Sequence, residues 1–162
     1  MPAIHLTTDI RAPIERCFDL GRSIDLHVAT ATASGERAVA GVTTGLIALG
    51  EEVTWRARHF GIGWRMTSRI TAMERPGFFQ DRMVRGPFAV FEHDHFFEAA
   101  REVTRMRDEL RFEAPMGCIG RIASERAILP HLTRFLVERN AILKRVAESE
   151  TEWKRYLERS SD

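Results

Sequence analysis

The spacing of apolar and polar residues changes rhythm twice along this chain. Residues 3–10, AIHLTTDI, set Ile4, Leu6 and Ile10 on one side and predict a first strand. RAPIERCFDLGRS follows, with Pro13 suited to a helical first turn and Ile14, Cys17 and Phe18 forming an i, i+3, i+4 stripe. IDLHVATA, after Gly21, predicts a second short helix. From 35 to 113 the period falls to two. ERAVAG reads as a short strand, and GVTTGLIALG as a mobile loop with the glycine content of an entrance gate. EEVTWRARHF then places Val53, Trp55, Ala57 and His59 opposite Glu52, Thr54, Arg56 and Arg58. Across the turn GIG, Trp64, Met66, Ser68 and Ile70 oppose Arg65, Thr67 and Arg69, which is a hairpin pattern. RPG leads into FFQDRMVR, and GP into FAVFEHDHFFEAA, one face of which reads Phe91, His93, His95, Phe97. In EVTRMRDELRF, Thr104, Met106, Asp108, Leu110 and Phe112 face away from Val103, Arg105, Arg107, Glu109 and Arg111.

The arginines decide which face is wet. Arg56, Arg58, Arg65, Arg69, Arg105, Arg107 and Arg111 share one side, and an unpaired buried charge is very costly, so that side meets solvent. The two histidines therefore face inward. From about residue 118 the period returns to 3.6, with Ile128, Leu132, Leu136, Leu143 and Val146 near helical spacing. Pro130 is expected to kink this helix or to split off a short lead-in turn. Beyond Val146 the sequence is strongly charged and is expected to extend into solvent from about 147. No repeat or linker interrupts the chain, so residues 1–162 are read as one domain.

Composition narrows the class without naming an activity. Hydrophobic residues make up 44%, an ordinary globular share that argues against disorder and against a fibre. With 24 basic and 23 acidic side chains the net charge is +1, which gives no electrostatic reason to expect nucleic acid as a partner. Acidic Glu52, Glu92, Asp94 and Glu109 offset the arginines of the outer face. Cys17 and Cys118 lack a CxxC or zinc spacing and suit a reduced, cytoplasmic protein. MPAIHLTTDI has no signal-peptide pattern, and no run is apolar enough to suggest a membrane span.

A strand, two short helices, an antiparallel run and a long last helix make an α+β, helix-grip order: a curved sheet of about seven strands around the C-terminal helix. Particular stretches strengthen that reading. APIERCFDL resembles the opening helix of the START/polyketide-cyclase/plant pathogenesis-related (SRPBCC) superfamily. GLIALGEEVTW, FFQDRMVRGPFAVFEHDHFF, TRMRDEL and APMGCIGRIA resemble its bacterial ligand-binding or cyclase-like subgroup. The resemblance spans essentially the whole chain. It implies an internal cavity for an apolar or amphipathic molecule, and it covers both carriers and enzymes.

Three chemistries suit the inward histidines. Two imidazoles two residues apart on a strand can share a metal ion, with Asp108, Asp81 or His59 as third ligand. The resembled superfamily usually carries no metal in this cavity, so neither metal nor cofactor is expected. A histidine oriented by an inward aspartate can instead act as general acid or base in cyclisation or dehydration, with His93, His95 and Asp108 as the catalytic set. The third reading, the one adopted, is a hydrogen-bonded polar floor made by His93, His95, Asp81 and Asp108 with Thr104 or Ser68. Trp55, Trp64, Met66 and Met83 would wall the pocket with Phe91, Phe97 and Met106, and His27 is a candidate cap. The expected partner is thus a small hydrophobic or amphipathic ligand. A rival is an interaction protein whose interior is filled and whose tail, around Trp153 and Tyr156, contacts another chain.

Overall fold

The computed structural model describes residues 1–31, 34–59, 61–115 and 124–158. Its strands are β1 (Ala3–Ile10), β2 (Arg37–Gly41), β3 (Glu52–His59), β4 (Ile62–Glu74), β5 (Phe78–Arg85), β6 (Val90–Ala100) and β7 (Val103–Glu113). Helices α1 (Ile14–Gly21) and α2 (Ile24–Thr30) separate β1 from β2. A π-helical turn, Ser124–Ile128, leads into α3 (Leu129–Glu148), and α4 (Lys154–Leu157) closes the described chain. The seven strands form one antiparallel sheet in the order β1-β7-β6-β5-β4-β3-β2. Irregularities between Thr67 and Ser68 and between Ile70 and Ala72 interrupt the β4–β5 register, as bulges do where a sheet bends.

Local chemistry sets the helix ends. Pro13 occupies the cap position before α1, and Ser23 Oγ caps α2 by accepting the Leu26 N–H at 3.3 Å. Pro130 lies in the first turn of α3, where its missing N–H costs nothing, so the helix is split from its lead-in turn rather than kinked. The buried stripe of α3 runs through Leu136, Arg139, Asn140, Leu143, Val146 and Ala147. Two polar residues therefore sit in the middle of a core-facing face.

Inward and outward faces fall as the alternation predicts. Thr104, Met106, Asp108, Leu110 and Phe112 are buried, whereas Arg56, Arg58, Arg65, Arg69, Arg105 and Arg107 are exposed and Arg111 is half-buried. α1 packs on β6 and β7, and α3 on β1, α1 and α2. The apolar interior divides in two. The larger cluster includes Phe18, Leu26, Trp55, Phe79, Phe97 and Leu143; the smaller joins Ile4, Leu110, Phe112 and Leu136. Gly21 lets α1 close on the sheet, because a Cβ there would lie 2.9 Å from the Phe97 ring.

As far as Glu158, the segment after Val146 turns back onto the core instead of running out into solvent. Ser149 ends α3 in an extended conformation, and α4 buries Tyr156 while Trp153 and Leu157 pack on the larger cluster. Arg16 holds this return in place: its guanidinium lies 4.2 Å over the Trp153 ring and donates to Ala147 O at 3.0 Å. The tail proposed for contact with another chain thus buries Tyr156 internally. Residues 41–50, the expected gate, are pinned to α2 by a Ser23–Leu46 bridge and a 2.9 Å bond from Ile24 N–H to Gly45 O.

Candidate functional site

Strand register brings four ionisable groups together from three adjacent strands. Asp81 on β5 lies opposite His93 on β6, and His95 opposite Asp108 on β7. All four have inward parity, so their side chains meet beneath α3. Asp108 Oδ1 faces both rings, 3.1 Å from His93 Nε2 and 2.9 Å from His95 Nδ1. Asp81 Oδ2 is 3.2 Å from His95 Nε2 and 4.0 Å from His93 Nδ1. From α3, Asn140 Nδ2 donates to Asp108 Oδ2 at 2.7 Å. The ring centres of the two histidines are 3.8 Å apart, and Phe79 stacks on His95 at 4.2 Å.

Burial sharpens these contacts. The Asp108 side chain is 1% exposed, whereas that of Asp81 is 21% exposed. Burial drives the His93 imidazole below its ordinary value, helped by neighbouring His95 and opposed by Asp108. Burial pushes His95 the same way, but its hydrogen bonds to Asp108 and Asp81 prevail and hold it above its ordinary value. For Asp108, burial acts upward, yet the bonds from both histidines keep the carboxyl well below the usual carboxylate range. Asp81 is also lowered: burial again opposes, and the His95 bond with the charges of His93, His95 and Arg139 outweighs it. Three of the four ring nitrogens lie within 3.2 Å of a carboxylate oxygen, and the fourth, His93 Nδ1, stands 4.0 Å from Asp81 Oδ2.

Above this floor lies a cavity of about 140 Å³ between the sheet, the α1–α2 junction and α3. Of the residues expected around a ligand, Trp55, Trp64, Met66, Ser68, Asp81, Phe91, His93 and His95 line it. Asp108 lies behind the histidines. Phe97, Thr104 and Met106 have the inward parity but sit under α1: Phe97 packs on Phe18, Thr104 Oγ1 donates to Ala12 O at 2.7 Å, and Met106 is buried in the larger cluster. Met83 also lies off the cavity lining, in a close approach to Gly86. The His59 side chain and Cys118 lie outside the described residues. His27 does line the cavity, stacked 4.2 Å from Trp55 and 2.7 Å from Glu36.

The helical wall is the part of the site that the sequence pattern does not reveal. Leu132, Phe135, Leu136 and Arg139 of α3 face the cavity with Ile24 of α2. Arg139 is buried and donates to Gly21 O at 3.2 Å. Its signal is a gap in the stripe: apolar positions at 132, 136, 143 and 146 leave 139 and 140 as core positions filled by Arg and Asn.

No family model and no curated protein matches the chain. Solved structures do. TTHA0849 of Thermus thermophilus aligns with a TM-score of 0.68 at 16% identity, over 88% of this chain and 97% of its own. Ginseng major latex-like protein 151 of Panax ginseng aligns at 0.65 and 15% identity, over 91% and 98%. The fold is helix-grip. Protein CV1439 of Chromobacterium violaceum shares it, at a TM-score of 0.68 and 11% identity over 93% and 100%. Identities this low establish the architecture and leave function to the site. Among the described residues, no helix is long and apolar enough to cross a membrane.

Proposed function

We propose that this is a cytoplasmic binding protein that encloses a small amphipathic molecule between the sheet and α3. One observation carries the reading: a cavity of about 140 Å³ with mainly apolar walls ends on buried polar groups at its floor. An engineered apolar cavity of about 150 Å³ in another protein takes up benzene, so this space suits a body of about one aromatic ring. Trp55, Met66, Ile70 and Phe91 surround the apolar part from the sheet, and Leu132 and Phe135 from α3. Ser68 Oγ, buried on the same wall, has no hydrogen-bond partner among the described residues. A buried hydroxyl without a partner is destabilising by roughly 1–3 kcal/mol, and a ligand oxygen or nitrogen would relieve that.

Native mass spectrometry of protein purified from cells tests this reading. The expected spectrum shows the chain with a co-purifying small molecule, lost on denaturation and displaced in the variant Met66→Trp, whose larger side chain fills the cavity. A wild-type protein that carries nothing and takes up no aromatic or amphipathic probe overturns it.

A further inference from the structure

We propose that Asp81, His93 and His95 form a three-ligand site for a divalent transition-metal ion on the cavity floor, with a coordination position open to the cavity. Each of the three offers one ligand atom, and these atoms lie within 4.8 Å of one another. Around a tetrahedral ion bound at about 2.0–2.1 Å, ligand atoms stand about 3.4 Å apart. The 3.2 Å between His95 Nε2 and Asp81 Oδ2 already fits, and the 4.0 Å from His93 Nδ1 needs a shift of well under an ångström.

The surroundings are those a metal-binding histidine requires. Such a ring donates its second N–H to a carboxylate or carbonyl, which fixes its tautomer and aims its lone pair. Here one residue serves both rings: Asp108 Oδ1 accepts from His93 Nε2 and His95 Nδ1, and Asn140 steadies its other oxygen. With those two N–H groups directed at Asp108, the lone pairs of His93 Nδ1 and His95 Nε2 turn toward the Asp81 carboxylate. In that tautomer three electron-pair donors converge, and an ion takes the place of the proton that His95 Nε2 otherwise shares with Asp81. A proton shared by His95 and Asp81 resolves only part of this, because His93 Nδ1 remains beyond hydrogen-bond range of Asp81 at 4.0 Å. A metal ion uses all three donors.

The donor set selects the class of ion. Two imidazole nitrogens and one carboxylate favour zinc or a neighbouring first-row dication over calcium or magnesium, which prefer all-oxygen shells. Three protein ligands leave room for a further donor, as in sites that bind substrate or water rather than purely structural ones. Since all three residues line the cavity, that donor comes from the cavity side. Its identity as the polar end of an enclosed molecule rests on the function proposed above; the metal site does not. A bare HxH pair is common by chance and does not by itself select an ion. The added information is Asp81 beside the pair and Asp108 with Asn140 behind it.

The test uses the full chain stripped of metal with a chelator and titrated with Co²⁺, then with Zn²⁺ in competition. The expected result is one Co²⁺ per chain with visible d–d absorption, displaced by Zn²⁺. Asp81→Asn, an isosteric change at the most open of the three ligands, is expected to weaken binding at least 100-fold with the near-ultraviolet circular dichroism unchanged. His95→Gln should do the same, and if that variant fails to fold, Asp81→Asn decides alone. Asp108 is a positioning residue: Asp108→Asn should weaken binding about 10–100-fold and shift the Co²⁺ spectrum without abolishing it. Folded wild type that takes up no Co²⁺ at 1 mM overturns the site. So does uptake unchanged in Asp81→Asn and His95→Gln, which would place the ion on exposed histidines such as His5. Ligand capture is read separately by mass spectrometry, so either proposal can fail while the other stands.

Discussion

Strand β6 carries a polar cluster on each face, and the two differ in what covers them. Inside, His93 and His95 meet Asp81 and Asp108 under α3. Outside, Asp94 accepts from Gln80 Nε2 and Arg111 Nη2, both at 2.6 Å, while Glu92 pairs with Arg82 at 2.5 Å. Both clusters draw on β5, β6 and β7, and both mix carboxylates with nitrogen donors. The outer one adjoins water, which can replace any partner that is lost. The inner one has no such reserve, so each group there depends on the next. One strand thus supports an interchangeable surface network and an interior network in which Asp108 and the two histidines depend on one another.

Removing the common acceptor should break the inner cluster first. Asp108→Leu strands two imidazoles and the Asn140 amide at once, and a loss of about 3–5 kcal/mol is expected from denaturant unfolding, as for breaking a buried charge pair. A loss under 1 kcal/mol would show that solvent reaches this floor. A smaller effect is expected where the inner layer has no slack. The Cβ of Gly21→Ala would sit 2.9 Å from Phe97 Cζ and 3.4 Å from Phe79 Cε1, so about 1–3 kcal/mol should be lost through overpacking. The smallest effect belongs outside. Arg111→Ala leaves Asp94 its bond from Gln80, and a change of about 1 kcal/mol or less is expected, shrinking further as salt is raised. Equal effects from Asp108→Leu and Arg111→Ala would abolish the contrast between the faces.

Parity is legible in the sequence because a half-buried strand must alternate, and the arginines mark the wet side of β3, β4 and β7. Position along a strand is not. Phe97, Thr104 and Met106 share the face of His93 and His95, yet α1 covers that stretch and α3 roofs the cavity over the other. Periodicity tells which side a residue takes and says nothing of what lies above it. Register is equally hidden: Asp81 meets His93 only through the β5–β6 pairing, with β4–β5 irregularities shaping the sheet beside it. Arg139 and Asn140 are hard to single out because two polar residues within an apolar stripe read as a break in the pattern. They are the polar face that α3 turns toward the site.

The pairing of β1 with β7 has a consequence for how the molecule comes into being. Ala3 lies against Arg111 and Ile10 against Thr104, so the sheet joins segments separated by roughly a hundred residues. Closing that long loop carries an entropic cost, and until β1 is paired the β7 edge offers unpaired backbone groups of the kind that invite association with other chains.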